Sequence, residues 1–224
     1  NPNLDWVQKD YLNFLDEPSD SPRWSRKGVY GSWTIGEGTR SVKIILLDVR
    51  SRADLPEEPN ADQLGDEQWQ WLEEEMTSNT ATFTLIGSGI QILPDDRFTH
   101  VEALYPNSRQ RLFQLLAKYH IEGVILLSGD VHFGELLESP CPVGGMKYNL
   151  IELTSSGMSH LDTDHHPTAA YLHETFFPFT WKGSDPIYRL NYGVVEIDWE
   201  SPDPALTLSI KTLKQEILLE RTIK

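Results

Sequence analysis

Two side chains able to bind a cation or move a proton stand two residues apart in LLSGDVHFG, residues 126–134: the carboxylate of Asp130 and the imidazole of His132. An apolar run leads into them, and Gly129 interposes a residue whose missing Cβ lets the backbone bend. A carboxylate oxygen with a neutral imidazole nitrogen suits a hard or borderline divalent or trivalent ion. A catalytic metal usually takes at least three protein ligands, so this pair is part of a shell. The bland alternative is a strand-end Asp and His that hydrogen-bond a loop. Other apolar runs also end in polar residues: Asp48 and Arg50, Ser88 and Gln91, and Thr154–Ser156 with His160 close behind. Arg50 suits a bidentate clamp on a phosphate oxygen, or an ion pair with Asp48 or Asp54. Gln91 either lines the site or hydrogen-bonds a loop. His160 either faces the site or makes a structural hydrogen bond.

These residues need a scaffold that gathers strand ends. Residues 41–47 of SVKIILLDVR form a continuous apolar run, as in a strand buried on both faces. TFTLIG (82–87), GVILLS (123–128) and YNLIELT (148–154) are similar, and residues 28–33 also read as a strand. Between them lie helical patterns. Leu64, Trp69, Leu72 and Met76 share one face of a helix over 62–76. Pro106 suits a first helical turn, and Leu112, Leu115, Leu116 and Tyr119 follow as its apolar stripe. Near the start, Val7, Tyr11, Phe14 and Leu15 have helical spacing over 6–15. The tail segments 192–199, 205–213 and 216–222 alternate apolar and polar, as half-solvated antiparallel strands do. Strands alternating with helices, then strands following strands, describe an α/β core extended by antiparallel strands. In open α/β sheets, ligands sit beyond the carboxyl ends of the strands. The long irregular stretch 161–188 is rich in His, Pro and aromatic residues and reads as a functional or edge-covering loop. His165, His166 and His173 within it read as exposed loop histidines.

Bulk properties narrow the function. With 34 acidic and 19 basic residues the net charge is −15, which argues against binding a nucleic-acid backbone. Runs such as Glu73–Glu75 read as a solvated helix face. A single cysteine, Cys141, excludes an internal disulfide. No apolar run approaches a membrane span.

Eight segments, in order, carry a family resemblance. They are SPRWSRKGVYGSW, VKIILLDVRSRAD, LGDEQWQWLEEEM, IGSGIQILPDDR, YPNSRQRLF, LLSGDVHFGEL, YNLIELTSSGMSH and LNYGVVEIDW. Together they resemble the C-terminal part of the PhoD-like alkaline phosphatases, a branch of the calcineurin-like metallophosphoesterases. The resemblance implies an α/β sandwich of two mixed β-sheets flanked by helices. It implies one catalytic domain of which residues 1–224 are the C-terminal part, its N-terminal part lying outside this chain. The implied activity is hydrolysis of phosphate mono- or diesters by a hydroxide generated at two metal ions. Iron with calcium is the expected pair, with zinc, manganese or magnesium as alternatives.

Residue by residue, the superfamily's Gly-His-x-His motif falls on Gly129-Asp130-Val131-His132. Asp130 and His132 are therefore implied metal ligands, with Asp replacing the first histidine. The preceding strand end carries Ser88 and Gln91 where a histidine ligand is common, a harder, oxygen-rich setting. Arg50 and Gln91 are implied substrate contacts, and His132 and His160 implied aids to the leaving group. The family's Asp-Asp-His-Asp run has no counterpart here, so the remaining ligands are expected on an N-terminal fragment acting as a partner. The alternative is a catalytically incomplete fragment that serves as an assembly partner of such a chain. The expected small-molecule partners are phosphate esters, and the expected location is secreted or extracytoplasmic.

Overall fold

The run 40–46 does become an inner strand, and its neighbours follow from the same logic. The computed structural model describes residues 3–94, 103–139, 143–161, 182–201 and 203–224. In chain order these form α1 (Leu4–Phe14), a short 3-10 turn (Pro22–Trp24), β1 (Gly31–Glu37), β2 (Arg40–Leu46), α2 (Asp66–Thr77), β3 (Phe83–Gly87) and α3 (Pro106–Lys118). There follow β4 (Val124–Ser128), β5 (Gly134–Glu138), β6 (Ile151–Ser155), β7 (Lys182–Gly183), β8 (Tyr192–Asp198), β9 (Ala205–Lys211) and β10 (Ile217–Ile223).

Seven strands make one sheet in the order β1-β2-β3-β4-β6-β5-β7. Its centre, β2-β3-β4-β6, is parallel. Antiparallel strands flank it: β1 on β2, and β5 between β6 and β7. The other three strands form a separate antiparallel sheet, β10-β9-β8.

Two apolar layers hold these parts together. On one face of the large sheet, Ile45, Ile86, Val124 and Leu126 pack against Trp69, Leu72 and Met76 of α2 and Leu112, Phe113 and Leu116 of α3. On the other, Val42, Phe83, Leu85, Ile125, Leu136, Ile151 and Leu153 pack against Leu206, Leu208 and Ile210 of β9. The result is helices, large sheet and small sheet in three layers. Because both faces of β2–β4 are packed, their sequences read as largely apolar runs, with Thr84 buried within β3. Lys43 is a buried charge in β2. Its ammonium ion pairs with Glu75 at 2.6 Å.

Three features depart from the sequence pattern. The apolar stripe of α1 faces outward: Val7, Tyr11, Phe14 and Leu15 are exposed, and Gln8 and Leu12 are the buried positions. Gln8 explains the choice. Its amide donates to the carbonyls of Arg23 and Arg26 and accepts from the Gly28 amide, tying the helix to the following loop. Strand β5 gave no signal, because Glu135 is buried where alternation would put an apolar residue. Within the stretch read as irregular, Lys182–Gly183 pairs with β5. The loop residues Asp95-Asp96-Arg97, Cys141, His165, His166 and His173 lie outside the described residues. No helix among the described residues is long and apolar enough to cross a membrane.

Candidate active site

The parallel strands β2, β3, β4 and β6 run the same way, so the residues that follow them emerge along one edge of the sheet. Beyond β2, Asp48 is buried and acts as a turn builder. Its carboxylate accepts the amides of Val29, Arg50 and Ser51 at 2.9, 3.2 and 2.9 Å. Its own backbone is bracketed by the Gln68 amide on α2. This turn directs Arg50 across the end of β3 to β4, where its guanidinium donates to Asp130 Oδ2 at 2.8 Å. Asp130 is thus a side-chain partner of Arg50, and among the described residues Asp48 meets it through the backbone amide.

Asp130 and His132 both adopt left-handed backbone conformations, with φ of 75° and 59°. That region is uncommon for residues other than glycine, and two such residues in three sharply redirect the chain as it leaves β4. Such outliers cluster at functional sites. The His132 amide donates to Ser156 Oγ at 3.1 Å. Its ring meets that of His160 edge-on, with centroids 4.5 Å apart at 88°. The structure therefore makes two contacts on one loop: Arg50 with Asp130, and His160 with His132. Both Asp130 and His132 are exposed.

Gln91 stands apart. It is 0% exposed, and its amide donates to Glu135 and, at 2.9 Å, to Thr154 Oγ1. Thr154 Oγ1 in turn lies 2.8 Å from Ser128 Oγ at the end of β4. The Glu152 carboxylate accepts the amides of Ile92 and Leu93 at 2.8 and 2.6 Å. Gln91, expected to contact substrate, is buried here with its amide engaged by Glu135 and Thr154. The residue belongs to a polar layer that joins β3, β4, β5 and β6 beneath the strand ends.

The sequence placed Ser156 in a polar strand end without giving it a role, and offered no hint of Tyr105. Ser156 is a common residue type in a polar run, and its role shows only through the His132 amide. Tyr105 lies close enough to Arg50 to feel its charge. Burial pushes the phenol above its ordinary pKa, the Arg50 guanidinium opposes that, and the hydroxyl donates to the Asp54 carbonyl at 3.2 Å.

The donor types test whether a metal fits. An exposed carboxylate and imidazole, backed by a second imidazole, suit a share of a hard or borderline cation's shell. Among the described residues, no group of three or more His, Cys, Asp or Glu side chains is placed to hold an ion. The pair is chemically suited to part of a shell.

The model of the PhoD-like phosphatase family matches residues 18–155. The chain belongs to that family. No curated protein matches it. A solved structure of PhoD superposes with a TM-score of 0.59 at 17% identity, covering 97% of this chain and 48% of that one. The purple acid phosphatase PPD1 isolated from yellow lupin (Lupinus luteus) seeds superposes with a TM-score of 0.54 at 14% identity. That match covers 92% of this chain and 34% of the lupin chain. At these identities the two structures speak for the fold alone. This member of the PhoD-like family spans about half the length of the PhoD structure and about a third of the lupin one.

Proposed function

We propose that this chain carries part of the active site of a metal-dependent phosphoesterase, acting on phosphate monoesters, diesters or both. The observation that supports it most is the left-handed Asp130-Val131-His132 turn at the end of a parallel strand in a PhoD-like chain. Asp130 and His132 are the side chains that would hold an ion, which when bound supplies Lewis acidity toward the phosphoryl group and an acidified water. Iron with calcium is the pair the family resemblance favours. The remaining ligands would come from polypeptide outside the described residues.

The chain's own residues then have distinct tasks. Arg50 binds a phosphoryl oxygen and counters its charge with its guanidinium N–H donors. In the structure one of those nitrogens engages Asp130, so the guanidinium sits at the edge of the proposed shell. His160 stands against His132 and donates a proton to the departing ester oxygen. Asp48 and Gln68 hold the turn that aims Arg50. An extracytoplasmic location goes with this reading.

A second reading has the chain acting as the partner of a separate polypeptide that brings the other ligands. The two-donor shell favours it equally, and only the covalent arrangement differs. The test of the main reading is hydrolysis of a chromogenic phosphate mono- and diester by the metal-loaded protein. Turnover that vanishes in Asp130→Asn and His132→Ala supports it. Turnover indifferent to both substitutions contradicts it. Activity that appears only on adding a second polypeptide favours the partner arrangement.

A further inference from the structure

We infer that Ser156 is a positioning residue: its hydroxyl fixes the His132 backbone in the left-handed conformation that presents the imidazole to a metal ion. This rests on the reading of His132 as a ligand and adds the residue that sets its orientation.

A non-glycine residue with positive φ is held there by its surroundings, against its own preference. For His132, with φ of 59°, the holding contact is its amide to Ser156 Oγ at 3.1 Å. The clamp is reciprocal, since the Ser156 amide donates to the Phe133 carbonyl at 3.2 Å. Residues 132–133 and residue 156 are thus stitched together on both sides. His160, four residues beyond Ser156, adds an edge-on ring contact to His132.

A clamp positions only if its own base is rigid, and here the base is buried. Asn191, at the entry to β8, is 0% exposed. Its Oδ1 accepts from Ser155 Oγ at 2.9 Å, and its backbone amide donates to the Gly157 carbonyl at 2.9 Å. Its Nδ2 donates to the Arg189 carbonyl at 2.8 Å. A Cβ at Gly157 would lie 2.3 Å from Asn191 Nδ2, so the two chains meet with no room for a side chain. Residues on both sides of Ser156 are therefore fixed to the small sheet. The hydroxyl projects from a segment tied to the small sheet onto the left-handed turn at His132.

The experiment is a Mn²⁺ titration by calorimetry of the full chain, with thermal melting alongside. Ser156→Ala removes the acceptor, and Ser156→Thr keeps it. Ser139→Ala is the structural control, because Ser139 Oγ accepts the Leu150 amide at 2.7 Å between β5 and β6. Partners that orient a metal ligand typically contribute about 10–100-fold to metal affinity. Ser156→Ala is expected to weaken Mn²⁺ binding about tenfold or more. Ser156→Thr stays within about twofold of the parent, and Ser139→Ala lowers the melting temperature without changing affinity. Unchanged affinity in Ser156→Ala overturns the inference, as does an equal loss in Ser139→Ala and Ser156→Thr. Failure of the parent chain itself to bind Mn²⁺ overturns the inference for this chain on its own, because its two donors then hold no ion without further ligands, a result distinct from selective loss in the variants.

Discussion

Arg50 Nη2 donates to Asp130 Oδ2 at 2.8 Å, joining the residues after β2 to those after β4 across the end of the strand between them. The two side chains are about half exposed, at 50% and 41%. An ion pair so wet adds little to folding, about 0–1 kcal/mol. Its meaning lies in placement: a guanidinium suited to phosphate is held beside a carboxylate suited to a metal.

Arg50→Ala should accordingly leave the melting temperature almost unchanged and weaken ester binding. Hydrogen bonds to charged groups contribute about 1.5–3 kcal/mol, so KM should rise about tenfold or more. Arg50→Lys should recover only part, because an ammonium lacks the planar fork. Steady-state kinetics beside calorimetry reads both effects. A large melting shift with unchanged KM would assign Arg50 to folding alone.

His160→Ala should slow esters with poor leaving groups more than activated ones. A proton donor contributes about 10²–10⁴-fold where the leaving group needs protonation, and little where it does not. The comparison is an alkyl phosphate against 4-nitrophenyl phosphate. Equal slowing of both would reduce His160 to a packing partner of His132.

Gln91→Leu should destabilise the fold without altering ester binding. The change removes the amide donated to Glu135 and Thr154 in a fully buried setting. Loss of one partner of a buried polar group costs about 1–3 kcal/mol, more for a charged one. Urea denaturation should show a lower midpoint, with KM of the folded fraction unchanged. A raised KM at full stability would return Gln91 to the substrate.

Glu73 supplies a pH dependence remote from the site. Hydrogen bonds from Lys118 and Tyr119, at 2.5 and 2.6 Å, hold its carboxyl below the usual range. A depressed folded-state value means the contribution is present above the unfolded carboxyl's pKa, about 4.3, and fades as pH falls through the folded value. Glu73→Gln should therefore melt lower than the parent at neutral pH and converge with it in acid. Parallel melting curves across that range would show the contact to be inert.

Much of this arrangement was legible because burial on both faces writes itself into a strand as a largely apolar run. Residues 41–47 and 123–128 announced the inner strands that way, and Gly129-Asp130-Val131-His132 announced the chemistry at an end. Position after a strand did not by itself assign a role. Gln91 follows β3 as Arg50 follows β2, yet one is sealed inside and the other half exposed. The difference comes from Glu135 and Thr154, on strands far along the chain, which capture the amide. Strand β5 was hidden for the same reason, since its buried glutamate defeats alternation. Periodicity in α1 gave a helix but not its inward face, which Gln8 sets through three hydrogen bonds to the loop it anchors.

The central claim is that Asp130 and His132 hold a catalytic metal ion. Elemental analysis of the isolated protein, paired with turnover of a chromogenic phosphate ester, tests it most directly when run on the parent and on Asp130→Asn with His132→Ala. Bound metal near stoichiometry with turnover is expected in the parent, combined where needed with the polypeptide that brings the other ligands, and loss of both is expected in a variant that still folds. Metal and turnover retained in that variant would contradict it.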